Sequence, residues 1–147
     1  MTERTQVHGY ASIVREGRIL LCRISEQIPN DAGKWTLPGG GIDFDESIPD
    51  GVARELSEET GYEIELGPVA WVESEVFDGP SERVRVVRII YEARVIGGQL
   101  RPEADGSTDL CDWIELATAP TMPLVPVARL VVDYCIGVAS LLEDDGY

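Results

Sequence analysis

The run Pro38-Gly39-Gly40-Gly41 does most to narrow the folds open to this 147-residue chain. A proline followed by three glycines ends a strand and permits backbone angles that other residues avoid. A helix with start and stop signals comes next. Ser47 suits its N-cap, Pro49 its first turn and Gly61 the position just past its end. Ile48, Val52 and Leu56 recur every four residues and give it an apolar stripe.

Strands flank this unit. Val7–Val14 and Arg18–Ile24 read as two strands joined by a tight turn at Glu16-Gly17. Pro29–Gly33 is a loop, and Lys34–Leu37 a short strand leading into the glycines. After the helix come Val69–Phe77 and Val84–Val95, separated by the turn-like Asp78-Gly79-Pro80-Ser81. The second of these is almost continuously apolar, as a central strand would be. A loop over Gly97–Asp109, a strand near Cys111–Leu116 and a helix from Val125 to Leu142 complete the chain. That order predicts an α/β fold with helices on both sides of a mixed sheet. Length and the absence of any linker predict one domain over residues 1–147. Met1–Val7 lacks the apolar core of a signal peptide, and Leu124–Leu142 carries Pro126, Arg129 and Asp133, so no membrane span is expected. A cytoplasmic protein is the expectation, with a homodimer left open.

The chemistry concentrates on the first helix. Glu55, Glu58 and Glu59 stand at i, i+3 and i+4, which brings their carboxylates within reach of one another. Glu59 lies nearest the apolar stripe, so it should be the least exposed. Like charges repel at these spacings, and Glu58 and Glu59 sit where the helix dipole is already negative. Each effect is worth only a few tenths to ~1 kcal/mol, but together they favour a bound divalent cation. All-oxygen ligands select hard ions such as Mg²⁺ or Mn²⁺. Arg54 can reach Glu58 one turn on and orient it. Taken alone the triplet reads more simply as a solvated acidic face; the glycine loop beside it, which can bring backbone groups to an ion or phosphate, favours a site.

The stretch Gly40–Tyr62 resembles the signature of the Nudix (MutT-like) hydrolase family, G-x5-E-x7-R-E-U-x-E-E-x-G-U with U aliphatic. Gly40, Glu46, Arg54, Glu55, Leu56, Glu58, Glu59 and Gly61 fill it, and only the final position departs, being Tyr62. Lys34–Gly41 before it and Asp112-Trp113-Ile114 after it also look like family features. The resemblance implies an α/β/α sandwich with a mixed sheet and a loop-helix-loop catalytic element. It implies metal ligands at the carbonyl of Gly40 and the carboxylates of Glu55, Glu58 and Glu59, with Glu46 and Arg54 bracing the helix. The implied reaction converts a nucleoside diphosphate linked to X, with water, into a nucleoside monophosphate and phospho-X. Glu55, Glu58 and Arg54 are the catalytic expectations, the base being Glu55 or Glu58 unless a later loop supplies it.

That loop holds Glu103, Asp105 and Asp109, each a candidate base or extra ligand and each as readily a solvated acid. Arg23 could contact phosphate, although an edge-strand surface charge is the simpler reading. Trp35, next to the glycines, is kept as a substrate contact, whereas Trp71 and Trp113 read as core. The formal net charge of −15 disfavours nucleic-acid polymers and repels even a small phosphorylated substrate unless a cation mediates. Cys22, Cys111 and Cys135 are scattered among apolar neighbours and read as free, buried thiols. His8, the single histidine, reads as structural or surface. Two other functions fit the resemblance less well. A catalytically silent nucleotide sensor would have lost signature carboxylates or gained a DNA-binding domain, and a prenyl-diphosphate isomerase would need longer inserts.

Overall fold

The computed structural model describes residues 1–144; residues 145–147 of the expected domain lie outside the described residues. In chain order the elements are β1 Thr2–Ser12, β2 Val14–Arg15, β3 Arg18–Ile24, β4 Trp35–Thr36, β5 Gly39–Gly41, α1 Ile48–Thr60, β6 Tyr62–Asp78 and β7 Glu82–Gly98. Then follow β8 Thr108–Glu115, a short 3₁₀ turn at Ala119–Thr121 and α2 Pro126–Asp144. No helix among the described residues is long and apolar enough to cross a membrane.

The strands form two sheets. One is mixed, in the order β5-β1-β7-β6, with β1 parallel to β7 and the other pairs antiparallel. The second is antiparallel: β8 runs along one edge of β3, while β2 and β4 share the other. This corrects the expected opening hairpin. Glu16 (φ 53°) and Gly17 (φ 76°) do form the tight turn, but it joins only β2 to β3. β1 begins at Thr2 and crosses to the mixed sheet, where eleven residues pair with β7. A two-residue hairpin arm offers far less pairing than that long ladder. The glycine run is corrected too. Gly39–Gly41 is an edge strand on β1, with Gly9 opposite Gly40.

Alternation along β3 explains the layering. Ile19 and Leu21 belong to one buried cluster with Ile90 and the α2 residues Val127, Ala128, Val131 and Val132. Leu20, pointing the other way, joins Ala11, Ile13, Val52 and Leu56 under α1. The two helices therefore cover opposite faces, and the α/β/α sandwich with a mixed sheet is observed. Tyr62, the position that departs from the signature, is buried in the α1 cluster and accepts a hydrogen bond from Trp113 Nε1 at 3.0 Å. Trp71, expected in the core, is 37% exposed on β6.

The three-thiol reading is also corrected. Cys22 and Cys111 stand directly opposite in the β3–β8 register and form a disulfide, leaving Cys135 as the free cysteine. Their separation of 89 residues hides this pairing from any reading of spacing.

The fold brings β1 very close to α1 at Gly9. A Cβ built there would lie 2.5 Å from Cγ2 of Val52, a fully buried branched side chain with no freedom to swing away. Gly9→Ala is expected to cost about 1–3 kcal/mol through overpacking. Urea unfolding of the variant and the wild type measures this, and an unchanged midpoint would show that helix and strand are not packed this tightly.

Candidate active site

The helix that carries the carboxylates is held at both ends. Ser47 Oγ accepts from the Asp50 amide at 3.2 Å, and Glu46 Oε1 accepts from the Asp43 amide at 2.8 Å. At the other end Gly61 takes the left-handed conformation (φ 78°) and its amide donates to Ser57 O at 3.0 Å. This fixes the rotation of α1, and with it the direction of each acid.

Glu59, only 1% exposed, faces β5. Its Oε2 accepts from the Gly39 amide at 3.2 Å, while the buried Oε1 has no hydrogen-bond partner. Glu55 presses on the same strand: a Cβ built on Gly40 would lie 3.2 Å from its carboxylate oxygens, so a side chain there would push the carboxylate back by a few tenths of an ångström. Burial first, then the neighbouring negative charge of Glu55, pushes the Glu59 carboxyl well up. The Glu55 carboxyl is raised in the same direction, again by burial first. Glu58 is 49% exposed in its side chain and engages Arg54.

Arg54 ties the loop to the helix. Nη2 and Nε donate to Glu46 at 2.7 and 3.0 Å, Nη2 to Gly41 O at 3.2 Å, and Nη1 to Glu55 and Glu58 at 3.3 and 3.2 Å. The guanidinium holds the Glu46 carboxyl down at about 2, and the acids around Arg54 raise its own pKa. The bracing expected of Glu46 and Arg54 is what these contacts amount to.

Among the described residues no three acidic, histidine or cysteine side chains converge on one point as a finished ion cage. Glu55 and Glu58 both engage Arg54, while Glu59 accepts from the Gly39 amide. The donor set nevertheless fits a hard divalent cation. It consists of oxygens alone, it includes a buried carboxylate oxygen without a partner, and it lies against a glycine backbone.

The expected loop acids separate. Glu103 faces the helix: burial and then the Glu58 charge raise its pKa, and its own charge bears on Glu59. Asp109 does not face it. It forms an ion pair with Arg23 at 2.8 Å across β3 and β8, which occupies both expected substrate contacts with each other. Asp105 serves through its backbone, bending the loop at φ 59° and accepting from Gln27 Nε2 at 2.6 Å. Trp35 packs against the α2 core rather than the cleft.

A cleft of about 640 Å³ opens beside Gly39–Gly41 and Glu55. Its floor is the mixed sheet: His8 and Tyr10 from β1, Val86 and Arg88 from β7, Glu75 and Phe77 from β6. His8 is thus corrected from a bystander to a cleft residue. Its Nδ1 lies 3.1 Å from the Tyr10 hydroxyl, and burial, then Arg88, lowers its pKa. Burial drives the Tyr10 phenol up to about 12. Sequence reasoning missed Tyr10, Arg88, Glu75 and Phe77. Their alternate spacing along strands marks them as sharing a face, but only the order of strands brings that face to the glycines. A separate apolar cavity of about 450 Å³ lies between α2 and the β6–β7 hairpin, lined by Trp71, Tyr134 and Cys135, and contains none of these acids.

A capped helix pressing two glutamates on a glycine edge strand, over a cleft crossing a mixed sheet, defines a class of αβα hydrolase-like site. The NUDIX domain profile matches residues 6–135, and the chain belongs to that family. A MutT-like protein of Streptomyces ambofaciens is 33% identical over 96 residues, covering 65% of this chain and 55% of that protein. The nucleoside triphosphatase NudI of Escherichia fergusonii is 30% identical over 87 residues, 54% of this chain and 62% of its own length. The chain thus spans little more than half the length of these curated relatives. The crystal structure of a MutT NUDIX hydrolase from Burkholderia pseudomallei superposes with a TM-score of 0.76 at 31% identity, covering 88% of this chain and 97% of that one.

The raised Glu55 and Glu59 pKa values have a consequence for stability. A carboxyl that holds its proton more tightly when folded stabilises fully below its unfolded pKa, and that contribution is lost as pH rises toward the folded value. Without divalent ions, unfolding midpoints in urea should fall between pH 5 and pH 8. Glu59→Gln should flatten that fall and unfold at a higher urea concentration than the wild type at pH 8. Equal pH slopes for variant and wild type would show that Glu59 is not held protonated.

Proposed function

We propose that the protein is a divalent-metal-dependent pyrophosphohydrolase that converts a nucleoside diphosphate linked to X, and water, into a nucleoside monophosphate and phospho-X. The observation that carries this reading is Glu59. Its carboxylate is buried at the end of a helix with one unpartnered oxygen, one turn from Glu55, which lines a substrate-sized cleft. Such burial of charge is costly unless a cation or proton offsets it.

Glu55, Glu58, Glu59 and the Gly40 carbonyl would hold Mg²⁺ or Mn²⁺. A bound ion of this kind neutralises phosphoanhydride oxygens and lowers the pKa of an attacking water. The residues do the rest. Arg54 positions Glu55 and Glu58 by bonding both, and it keeps the loop closed on the helix through Glu46 and Gly41. Glu55 or Glu58 takes the proton of the attacking water, and Glu103 is the loop acid placed to share it. The Gly39–Gly41 backbone borders the cleft without side chains, so a phosphate chain can approach closely. Every group comes from one chain, so the reading does not require a homodimer. A cytoplasmic setting, where nucleotides are abundant, is the one this reading implies.

Incubation with a nucleoside triphosphate, ADP-ribose, a nucleotide sugar and a dinucleoside polyphosphate, with Mg²⁺ or Mn²⁺, should release a nucleoside monophosphate from at least one. Glu58→Gln and Glu59→Gln should each lower turnover by about 100-fold or more. A loss below tenfold in both variants would overturn the assignment.

A further inference from the structure

The cleft has two ends of different chemistry. At one are Gly40 and Glu55. The other is reached by moving across the sheet: Gly41 pairs with His8, His8 with Arg88, and Arg88 with Glu73. Three strand spacings of about 4.8 Å put the β6 wall roughly 14 Å from β5. A substrate held by its phosphoanhydride at the glycines thus extends its other end over β6.

The β6 wall is not built for an anion. Arg88 Nη1 donates to Glu73 at 2.8 Å and to Glu75 at 3.1 Å, so two carboxylates more than balance its charge. Lys34, the other cation of the cleft, is paired with Asp31 at 3.0 Å. The same wall presents Phe77, 46% exposed, with the Arg88 guanidinium carbon 5.8 Å from its ring centroid. An open aromatic face beside a carboxylate that uses only one oxygen on Arg88 is complementary to a planar, uncharged group bearing N–H donors.

We propose that Phe77 and Glu75 form the subsite that reads the nucleobase of the substrate, Phe77 by stacking and Glu75 by accepting N–H bonds from the base edge. Arg88 is the positioning residue that orients Glu75. Guanine presents two adjacent donors, N1–H and the 2-amino group, to a carboxylate. Adenine and cytosine present one amino group beside an acceptor, and uracil one N–H between two acceptors. The substrate class is therefore a guanine nucleoside polyphosphate, in preference to substrates whose far end is a sugar or a second phosphate group. The inference rests on the pyrophosphohydrolase reading for which end of the substrate lies at Glu55.

The test compares binding of GMP, IMP, AMP, UMP and ribose 5-phosphate to the full chain by calorimetry with Mg²⁺ present. GMP should bind best, with IMP, which lacks only the 2-amino group, at least tenfold weaker, because a site built to accept that hydrogen bond rejects the analogue without it. Glu75→Gln should bring GMP down to the IMP level, and Phe77→Ala should weaken every nucleotide about tenfold while leaving ribose 5-phosphate unchanged. With GTP as substrate, Glu75→Gln should raise KM with little change in kcat, as loss of ground-state binding does. Either variant binding GMP as the wild type does, or ribose 5-phosphate binding as well as GMP, overturns the proposal. Base-selective binding with no phosphoanhydride cleaved would sustain the subsite and remove the hydrolase reading. Cleavage at equal rates for every base would do the reverse.

Discussion

The burial of Glu59 is the constraint around which the site is arranged. A carboxylate at the C-terminal turn of a helix meets both low dielectric and the negative end of the dipole. The chain offsets this with a hydrogen bond from the Gly39 amide and, one layer out, the Arg54 guanidinium on Glu55. Neither of these reaches Oε1. The site thus holds a group poised for a counter-ion and kept in place by packing rather than by its own preferences. Arg54 matters because, among the described residues, it is the one positive group bonded to the loop and to two of the acids together. A lysine could not do this, since its single ammonium lacks the planar fork that spans Glu46, Gly41 and Glu58.

Glycines convert that electrostatic arrangement into geometry. Gly9 and Gly40 are partners across β1 and β5, and each faces a helix side chain: Val52 in one case, the Glu55 carboxylate in the other. Strand and helix approach until backbone and carboxylate touch. Apolar packing therefore sets the distance at which the acids meet β5. Val52 and Leu56, fully buried on the apolar stripe of α1, seat the helix, and Glu55 and Glu59 inherit their positions from that seating.

Local signals were readable and long-range ones were not. Ser47, Pro49 and Gly61 marked α1 to within a residue, because caps are short-range chemistry. The β6–β7 hairpin and the central place of β7 followed from Asp78–Ser81 and an apolar run. The acids of the helix could be found from spacing alone. By contrast, the strand character of Gly39–Gly41 depends on β1 lying alongside, since glycine has no intrinsic preference for a strand. The crossing of β1 to β7, the disulfide between Cys22 and Cys111 and the pairing of Arg23 with Asp109 all join residues eighty or more positions apart. The cleft floor was hidden for the same reason. His8, Arg88 and Glu73 form a row only once three strands are in register.

The engagement of the cations bears on how a polyanionic substrate meets a chain of net charge −15. Arg4, Arg18, Arg23, Lys34, Arg54, Arg83, Arg88 and Arg94 all form ion pairs with acids of the same chain. Lys34 and Arg88, the cations that line the cleft, are among those engaged, and the long-range field opposes the approach of a free nucleotide. A nucleotide carrying a divalent cation has much of that repulsion removed before contact. On the proposed reading its cation would be attracted to the Glu55 end of the cleft, while its base would meet a β6 wall whose own charges are already paired. The acidity of the chain and the pairing of the cleft's cations are both consistent with that proposal, in which a cation–nucleotide complex enters phosphate-first at the glycines.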